Sequence, residues 1–490
     1  MAQTPIQTSH HKHLAQGTLI GLVSTVGMGL VNLVLRRHWA LTLAPADFGW
    51  FYINYTVLFF TAILIDLGGA NYSTIAISKE HAAGDTEAVS HIFFSTALYK
   101  VLSGVMGTIG FWILAPWLAT HFFHQEEAVD AIRLMAFFFP LFCLEGHLFA
   151  VLCSFRAFVV GYGMLLLKFM LMLMVALRCG PSIRVPPLLF IGGSGLFCLL
   201  AMSYIVGSGR VDMHLRYFSL QGVGRYLIRG LWLAIFNISA QTVLYVDQLV
   251  ATMLLGATAM AVYSVAVPIV MILYALLIIL PTVSIPVIAA MWGEGDSEPA
   301  IAKLCSDFVN AMLALLWLAL LVTVPFGNRI IALLFSEQFV AAGALLPYLA
   351  AGMILYISGY FCFNAWNAKQ RNHTTSLIML FGPLINVGLC LWLIPKYGLR
   401  GAAIAVCCTH AVMGIAGFVL LKVKMPSFGL APSRALYISG CGVGLLSLSL
   451  WAGPVERLVS RSAGMAISAI LLYLTLIAPM ILPRLIRAAR

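Results

Sequence analysis

Side chains able to do chemistry are few in this sequence, and most of them lie inside apolar runs. Asp66, Lys100, Glu145 with His147, Lys168, Asp247 and Asp307 fall within such runs, Arg156 falls just past one, and Arg36 with Arg37 closes the first. An ionisable group at membrane depth costs about 2.5–3.5 kcal/mol on insertion scales, so each one needs a partner, a water-filled cavity or a function. Arg36, Arg37, Lys100 and Arg156 are the cations suited to holding an anionic ligand. Lys100 also has no acid three or four residues away that would pair with it along one helix face. Asp66, Glu145 and Asp247 fit two roles equally: ion-pair partners, or groups that exchange a proton or help hold a sodium ion. Lys168 and Arg156 are long enough to snorkel to a membrane face. The first half therefore carries the cationic groups. The second offers mostly polar lining such as Asn237, Gln241, Asn310, Asn364, Asn367 and Asn386.

Other chemistries find little support. The run His10, His11, Lys12, His13 lies in a tail without partner ligands, so no metal site is expected. The ten cysteines include the vicinal Cys407 and Cys408 but no CxxC pair, and they read as small hydrophobes rather than a disulfide or zinc framework. The net charge of +11 is scattered a few residues at a time over the connectors, which excludes a nucleic-acid surface and reads as topology signals. No cofactor is expected.

Apolar runs position these groups. With 62% hydrophobic and 9% charged residues the chain is far from the one-quarter charged content of soluble domains. A span needs about 20 apolar residues, and in lipid every backbone polar group must be satisfied within the segment, so the runs are expected to be helices. The expected fold class is an all-α polytopic membrane protein of about 14 transmembrane helices. A tail over 1–14 precedes six spans over 15–206, and a basic amphipathic connector over 207–229 leads to six more over 230–421. An extra pair occupies 435–482. The first span is too long for a signal peptide's apolar core and is expected to be retained.

Two features organise these spans. Gly84-Asp85-Thr86-Glu87 after the second span matches Gly295-Asp296-Ser297-Glu298 after the eighth, an offset of 211 residues. The same offset sets Ala46 opposite Ala257, Tyr52 opposite Tyr263, and Phe155-Arg156-Ala157 opposite Trp366-Asn367-Ala368. Six is an even number, so both halves enter the membrane from one side and form a parallel repeat, the arrangement of two like bundles around a cleft. Sixteen basic residues flank the spans on the side of the N-terminus and nine on the other, which predicts that both termini are cytoplasmic. A transporter is expected from this organisation.

Several segments carry a family resemblance. They are Leu35-Arg36-Arg37, Pro45-Ala46-Asp47-Phe48-Gly49, Asp66-Leu67-Gly68, Tyr245-Val246-Asp247-Gln248-Leu249 and Ala261-Val262-Tyr263. Pro281 with Pro286 and the turn from Leu393 to Ala403 complete the set. Over about residues 15 to 421 the chain resembles the polysaccharide transporter, or oligosaccharide flippase, family of the multidrug/oligosaccharidyl-lipid/polysaccharide exporter superfamily. The resemblance implies two pseudo-symmetric six-helix lobes and a bacterial inner-membrane flippase. Its cargo would be an undecaprenyl-pyrophosphate-linked oligosaccharide, moved to the outer leaflet by alternating access for cell-surface polysaccharide assembly. It also implies a cationic cavity, which Lys100, Arg36, Arg37 and Arg156 would supply, and as partners the lipid-linked oligosaccharide, membrane lipids and polysaccharide assembly proteins. The second half departs from that pattern in carrying little membrane-depth cation.

Two alternatives stand beside this reading. A cation-coupled multidrug exporter or a peptidoglycan-precursor (lipid II) flippase of the same superfamily would share the architecture, with Asp66, Glu145 and Asp247 dominant in the exporter. A membrane glycan polymerase or glycosyltransferase would need activating carboxylates or a diphosphate-metal site on an outer loop. The outer connectors here are short, and His124-Gln125-Glu126-Glu127 lacks neighbouring motif residues, so no enzyme is expected.

Overall fold

The computed structural model describes residues 5–66, 69–82, 84–122, 126, 129–155, 157–180, 182, 184–278, 288, 291–292, 298–369, 372–429, 432–451 and 470–474. Apolar runs that must bond their own backbone become helices, and no strand occurs among the described residues. The chain is an all-α, multi-pass membrane protein. Nine helical stretches among the described residues are long and apolar enough to cross a membrane.

The first elements are α1 (Pro5–Thr42), α2 (Pro45–Asp66), α3 (Gly69–Ala82), α4 (Thr86–Trp117), α5 (Val129–Ala136), α6 (Phe138–Ser154), α7 (Phe158–Ala176) and α8 (Val185–Gly207). The long α9 (Leu220–Leu277) follows, then α10 (Glu298–Leu334), a 3-10 segment (Glu337–Leu345) and α11 (Leu346–Asn367). The series closes with α12 (Asn372–Tyr397), α13 (Leu399–Lys424) and α14 (Pro432–Trp451). Most of the expected second member of the terminal pair lies outside the described residues, as do Pro281 and Pro286.

Local chemistry sets the breaks. Asp85 caps α4 by accepting from the Ala88 N–H at 2.8 Å, while Gly84 makes the preceding turn with φ +78°, so the Gly-Asp-Thr-Glu segment works as a helix start. The expected run 130–154 divides into α5 and α6 near Pro140. A proline has no N–H to give the carbonyl four residues back, which is that of Ala136. The Thr108 hydroxyl of α4 stands 3.0 Å from that carbonyl and 3.0 Å from the Gly104 carbonyl of its own helix, so its one proton is shared between the two. Within α9 the seventh and eighth spans remain two helices that meet at a kink at Gly256, whose φ of 76° is open to glycine but not to most residues.

Contacts divide the chain into two compact units, Met1–Ala261 and Val262–Arg490. The core of the first includes Phe93, Leu148, Val151, Phe197 and Ile205, contributed by α4, α6 and α8. In the second, α11 and α13 meet along small residues: a Cβ on Gly359 would come within 2.6 Å of the Gly414 Cα, so glycine sets their separation. α14 packs on α10, with Gly442 against the Trp317 indole, and the Tyr473 hydroxyl donates to the Ala314 carbonyl at 2.8 Å.

Residues 211 apart hold matching places in the two units. His81 and Phe155 meet edge to face with centroids 5.0 Å apart, and Trp292 and Trp366 meet in the same way at 6.5 Å. The Ser154 carbonyl accepts from Ser78 at 3.5 Å, and its counterpart, the Ala365 carbonyl, accepts from Trp292 Nε1 at 3.2 Å. A cation faces each pair: Arg210 lies 5.5 Å from the Phe155 ring, and Lys369 lies 4.3 Å from that of Trp292. The repeat read from the sequence thus extends to packing.

Candidate functional site

Three helices of the first unit build a buried polar knot. α7 supplies Lys168, α6 supplies Glu145 and α8 supplies Ser194. Lys168 Nζ donates to both Glu145 carboxylate oxygens, at 2.8 and 2.6 Å, and to Ser194 Oγ at 2.9 Å. Lys168 is 4% exposed and Ser194 fully buried, so the lysine does not snorkel to a membrane face: it spends its donors on an internal partner. The small neighbour Gly193 makes room, because a Cβ there would stand 3.2 Å from Lys168 Cγ. Of the two roles open to Glu145, the geometry is that of an ion pair.

Lys100 of α4 is also buried, at 3% exposure. Its electrostatic neighbours are Cys143 and His147 of α6. His147 is fully buried, with Nδ1 3.4 Å from Thr96 Oγ1 and its ring against Phe93. Glu145 and His147, two positions apart on α6, thus serve different neighbourhoods.

A third cluster joins α1, α2 and the first part of α9. The Arg36 guanidinium lies over the Tyr52 ring, 3.9 Å from its centroid. Tyr55 feels the charges of Arg36 and Glu145 together with the neighbouring Tyr245 and Tyr52, and Tyr245 in turn feels Arg36 and Asp247. Asp247 is buried. The next residue, Gln248, accepts a hydrogen bond from the Thr56 hydroxyl at 3.2 Å, and Tyr245 packs edge to face on Phe59 at 5.2 Å. The Tyr-Val-Asp-Gln segment is therefore locked to α2 on both sides of Asp247. Around it, Trp39, Phe51, Tyr55, Phe138 and Phe190 form a continuous aromatic wall.

The structure thus brings Arg36 and Asp247 into one neighbourhood and sets Lys100 in another. Arg37 is exposed. Arg156 lies outside the described residues, and Asp66 ends α2 with a side chain that also lies outside them. Sequence reasoning missed Ser194, Tyr52 and Tyr55 as partners. α1 runs on to Thr42, past the expected exit at Arg36, and Tyr52 and Tyr55 carry a signal of their own: three residues apart, they share a face of the next helix, which begins at Pro45. Among the described residues no three His, Cys, Asp or Glu side chains converge as a metal group would require.

Buried charges, each supported by polar or aromatic neighbours in a multi-pass helical frame, define a membrane protein with a polar interior. Its family is that of the polysaccharide biosynthesis proteins, to which the chain belongs through residues 14–292. An uncharacterized membrane protein of Methanocaldococcus jannaschii is 27% identical over 172 residues, 35% of this chain and 34% of the relative. The chain thus spans about a third of the length of the curated relative it matches. Among solved structures, the lipid II flippase MurJ in an inward closed conformation is similar with TM-score 0.74 and 13% identity, over 94% of this chain and 98% of that one. An inward-facing multidrug resistance MATE family transporter of the MOP superfamily is similar with TM-score 0.68 and 18% identity, over 84% and 98%. A MOP superfamily transporter from Pyrococcus furiosus, described as having a binding pocket of reverse polarity, has TM-score 0.65 and 17% identity, over 85% and 96%. These likenesses give the fold.

Proposed function

We propose that this protein is a flippase rather than an enzyme. It moves an undecaprenyl-pyrophosphate-linked oligosaccharide from the inner to the outer leaflet of the bacterial cytoplasmic membrane, for cell-surface polysaccharide assembly. The observation that carries the reading is membership of the polysaccharide biosynthesis family over residues 14–292, a stretch that holds every candidate cation. The fold shared with flippases and exporters supports transport, and the recurrence of the same local packing in each unit supports alternating access.

Within this reading Arg36, Arg37, Lys100 and Arg156 hold the pyrophosphate and acidic sugars. Arg36 and Lys100 are the better supported, since both are drawn into the first unit's interior on defined neighbours. Asp247 and Asp66 are the groups proposed for proton or sodium coupling, and Glu145 is ion-paired with Lys168. Both termini are cytoplasmic, and polysaccharide assembly proteins receive the cargo.

The test is to delete the gene and identify the lipid-linked glycan that builds up in the cell. The protein alone should restore its appearance on the outer surface. A strain that accumulates no lipid-linked glycan, or dye efflux that tracks the protein while glycan export is unchanged, would overturn the proposal in favour of a drug exporter. Accumulation of the peptidoglycan precursor would instead point to lipid II.

A further inference from the structure

A cavity of about 530 Å³ opens in the second unit where α10, the 3-10 segment, α11 and α13 come together. Its polar and apolar lining residues are segregated. Asn328 near the end of α10, Tyr348 in the first turn of α11 and Arg400 in the first turn of α13 stand at one end of the helices. Leu320 and Val324 lie deeper along α10, and Cys407 deeper along α13. At 1.5 Å of rise per residue the eight residues from Asn328 to Leu320 cover about 12 Å, and the seven from Arg400 to Cys407 about 10 Å. The cavity is therefore polar and cationic at its mouth and apolar two turns further in. Its size lies within the range of small-molecule sites, which are mostly apolar with a few placed polar groups.

The geometry points to a binding site for one anionic glycerophospholipid. Its phosphate would meet the Arg400 guanidinium, the Tyr348 hydroxyl and the Asn328 amide, and an acyl chain would run along Leu320 and Val324. Three features favour this occupant. The helices bearing these residues are long and apolar enough to cross a membrane, so the mouth falls at a membrane boundary. Among the described residues that line the cavity Arg400 is the one charged residue, and its charge complements an anionic headgroup. Leu333, Val412 and Ile415 on the same helices are exposed apolar side chains, as expected of a surface that faces hydrocarbon. The proposal does not depend on which cargo the protein carries.

The experiment is native mass spectrometry of the full-length protein released from detergent with equal amounts of phosphatidylglycerol and phosphatidylcholine. The wild type should retain one phosphatidylglycerol in preference to phosphatidylcholine. Arg400→Ala should reduce that retention about tenfold, the scale of one charge-assisted contact, and Arg400→Lys should restore part of it. Leu320→Trp, which fills the apolar end, should abolish retention of both lipids. Arg400 is exposed, so the Arg400→Ala comparison stands even if Leu320→Trp does not fold. Equal retention of the two lipids by the wild type, or unchanged retention in Arg400→Ala, would overturn the assignment. A third arm adds undecaprenyl phosphate at equal concentration, and complete displacement of phosphatidylglycerol would overturn it too, by giving the cavity to a polyprenyl chain.

Discussion

Lys168 and Glu145 form a two-pronged ion pair in the interior of the first unit, with the lysine nitrogen 2.8 and 2.6 Å from the two carboxylate oxygens. Removing one partner of a buried pair leaves an uncompensated charge and costs about 3–5 kcal/mol, whereas replacing both with apolar residues of like volume is often neutral or stabilising. Lys168→Met alone should therefore lower the thermal unfolding temperature of the detergent-solubilised protein strongly. Combined with Glu145→Met it should recover most of the loss. Glycan export retained in the double variant would mark the pair as structural, and export abolished at wild-type stability would return Glu145 to the coupling candidates.

Thr108 stands in for the N–H that Pro140 lacks, sharing its proton between the Ala136 carbonyl and that of Gly104. Thr108→Val keeps the shape and removes the donor, leaving a carbonyl without that bond. The expected cost is about 0.5–1.5 kcal/mol, the net worth of one hydrogen bond in a part-buried setting. Gly104→Ala should act on the same joint more severely, because its Cβ would lie 2.5 Å from the Pro140 Cα. Thermal unfolding followed by intrinsic fluorescence would rank the two.

How far these arrangements were legible in the sequence depends on what fixes them. Helices follow from the absence of water and the need to close backbone hydrogen bonds, so the apolar runs revealed them, and the repeat showed itself as a recurring Gly-Asp-Thr/Ser-Glu segment whose first copy starts a helix capped by Asp85. The division at Pro140 was harder to read, since transmembrane helices often carry proline unbroken, and here the outcome depends on Thr108 from another helix. Lys168 shows the limit most clearly. Its partner Glu145 is 23 residues away on a different helix, so no spacing rule reports the pair, and a long cationic side chain within a span reads as a snorkelling one. Arg36 reads in the sequence as a charge at a helix exit, whereas α1 continues to Thr42, and its seat on Tyr52 needed the turn between α1 and α2.

The α11–α13 joint gives a prediction on stability alone. Gly359 and Gly414 face each other so closely that side chains on either would force the helices apart. Gly359→Leu should destabilise the second unit and reduce the amount of protein in the membrane. Gly388→Leu on α12, where a Cβ would meet nothing within 4 Å, should be near neutral. Comparing membrane levels by immunoblot, then unfolding temperatures after purification, separates loss of insertion from loss of packing.

The functional prediction turns on Arg36 and Lys100. Arg36 is held over Tyr52 in an aromatic cluster, and a guanidinium has the forked geometry that matches a phosphate. Arg36→Ala and Lys100→Ala should each block outer-leaflet glycan while the protein remains in the membrane. Tyr52→Phe, which keeps the ring under Arg36, should leave export near normal, and Tyr52→Leu, which removes it, should lower export without removing the charge. The measurement is surface glycan normalised to membrane protein, in the strain lacking the native gene. Normal export from both Arg36→Ala and Lys100→Ala would remove these residues from cargo binding. Failure of Arg36→Ala alone would confine that role to the α1–α2 cluster, leaving Lys100 as a buried charge that serves the packing of α4 on α6.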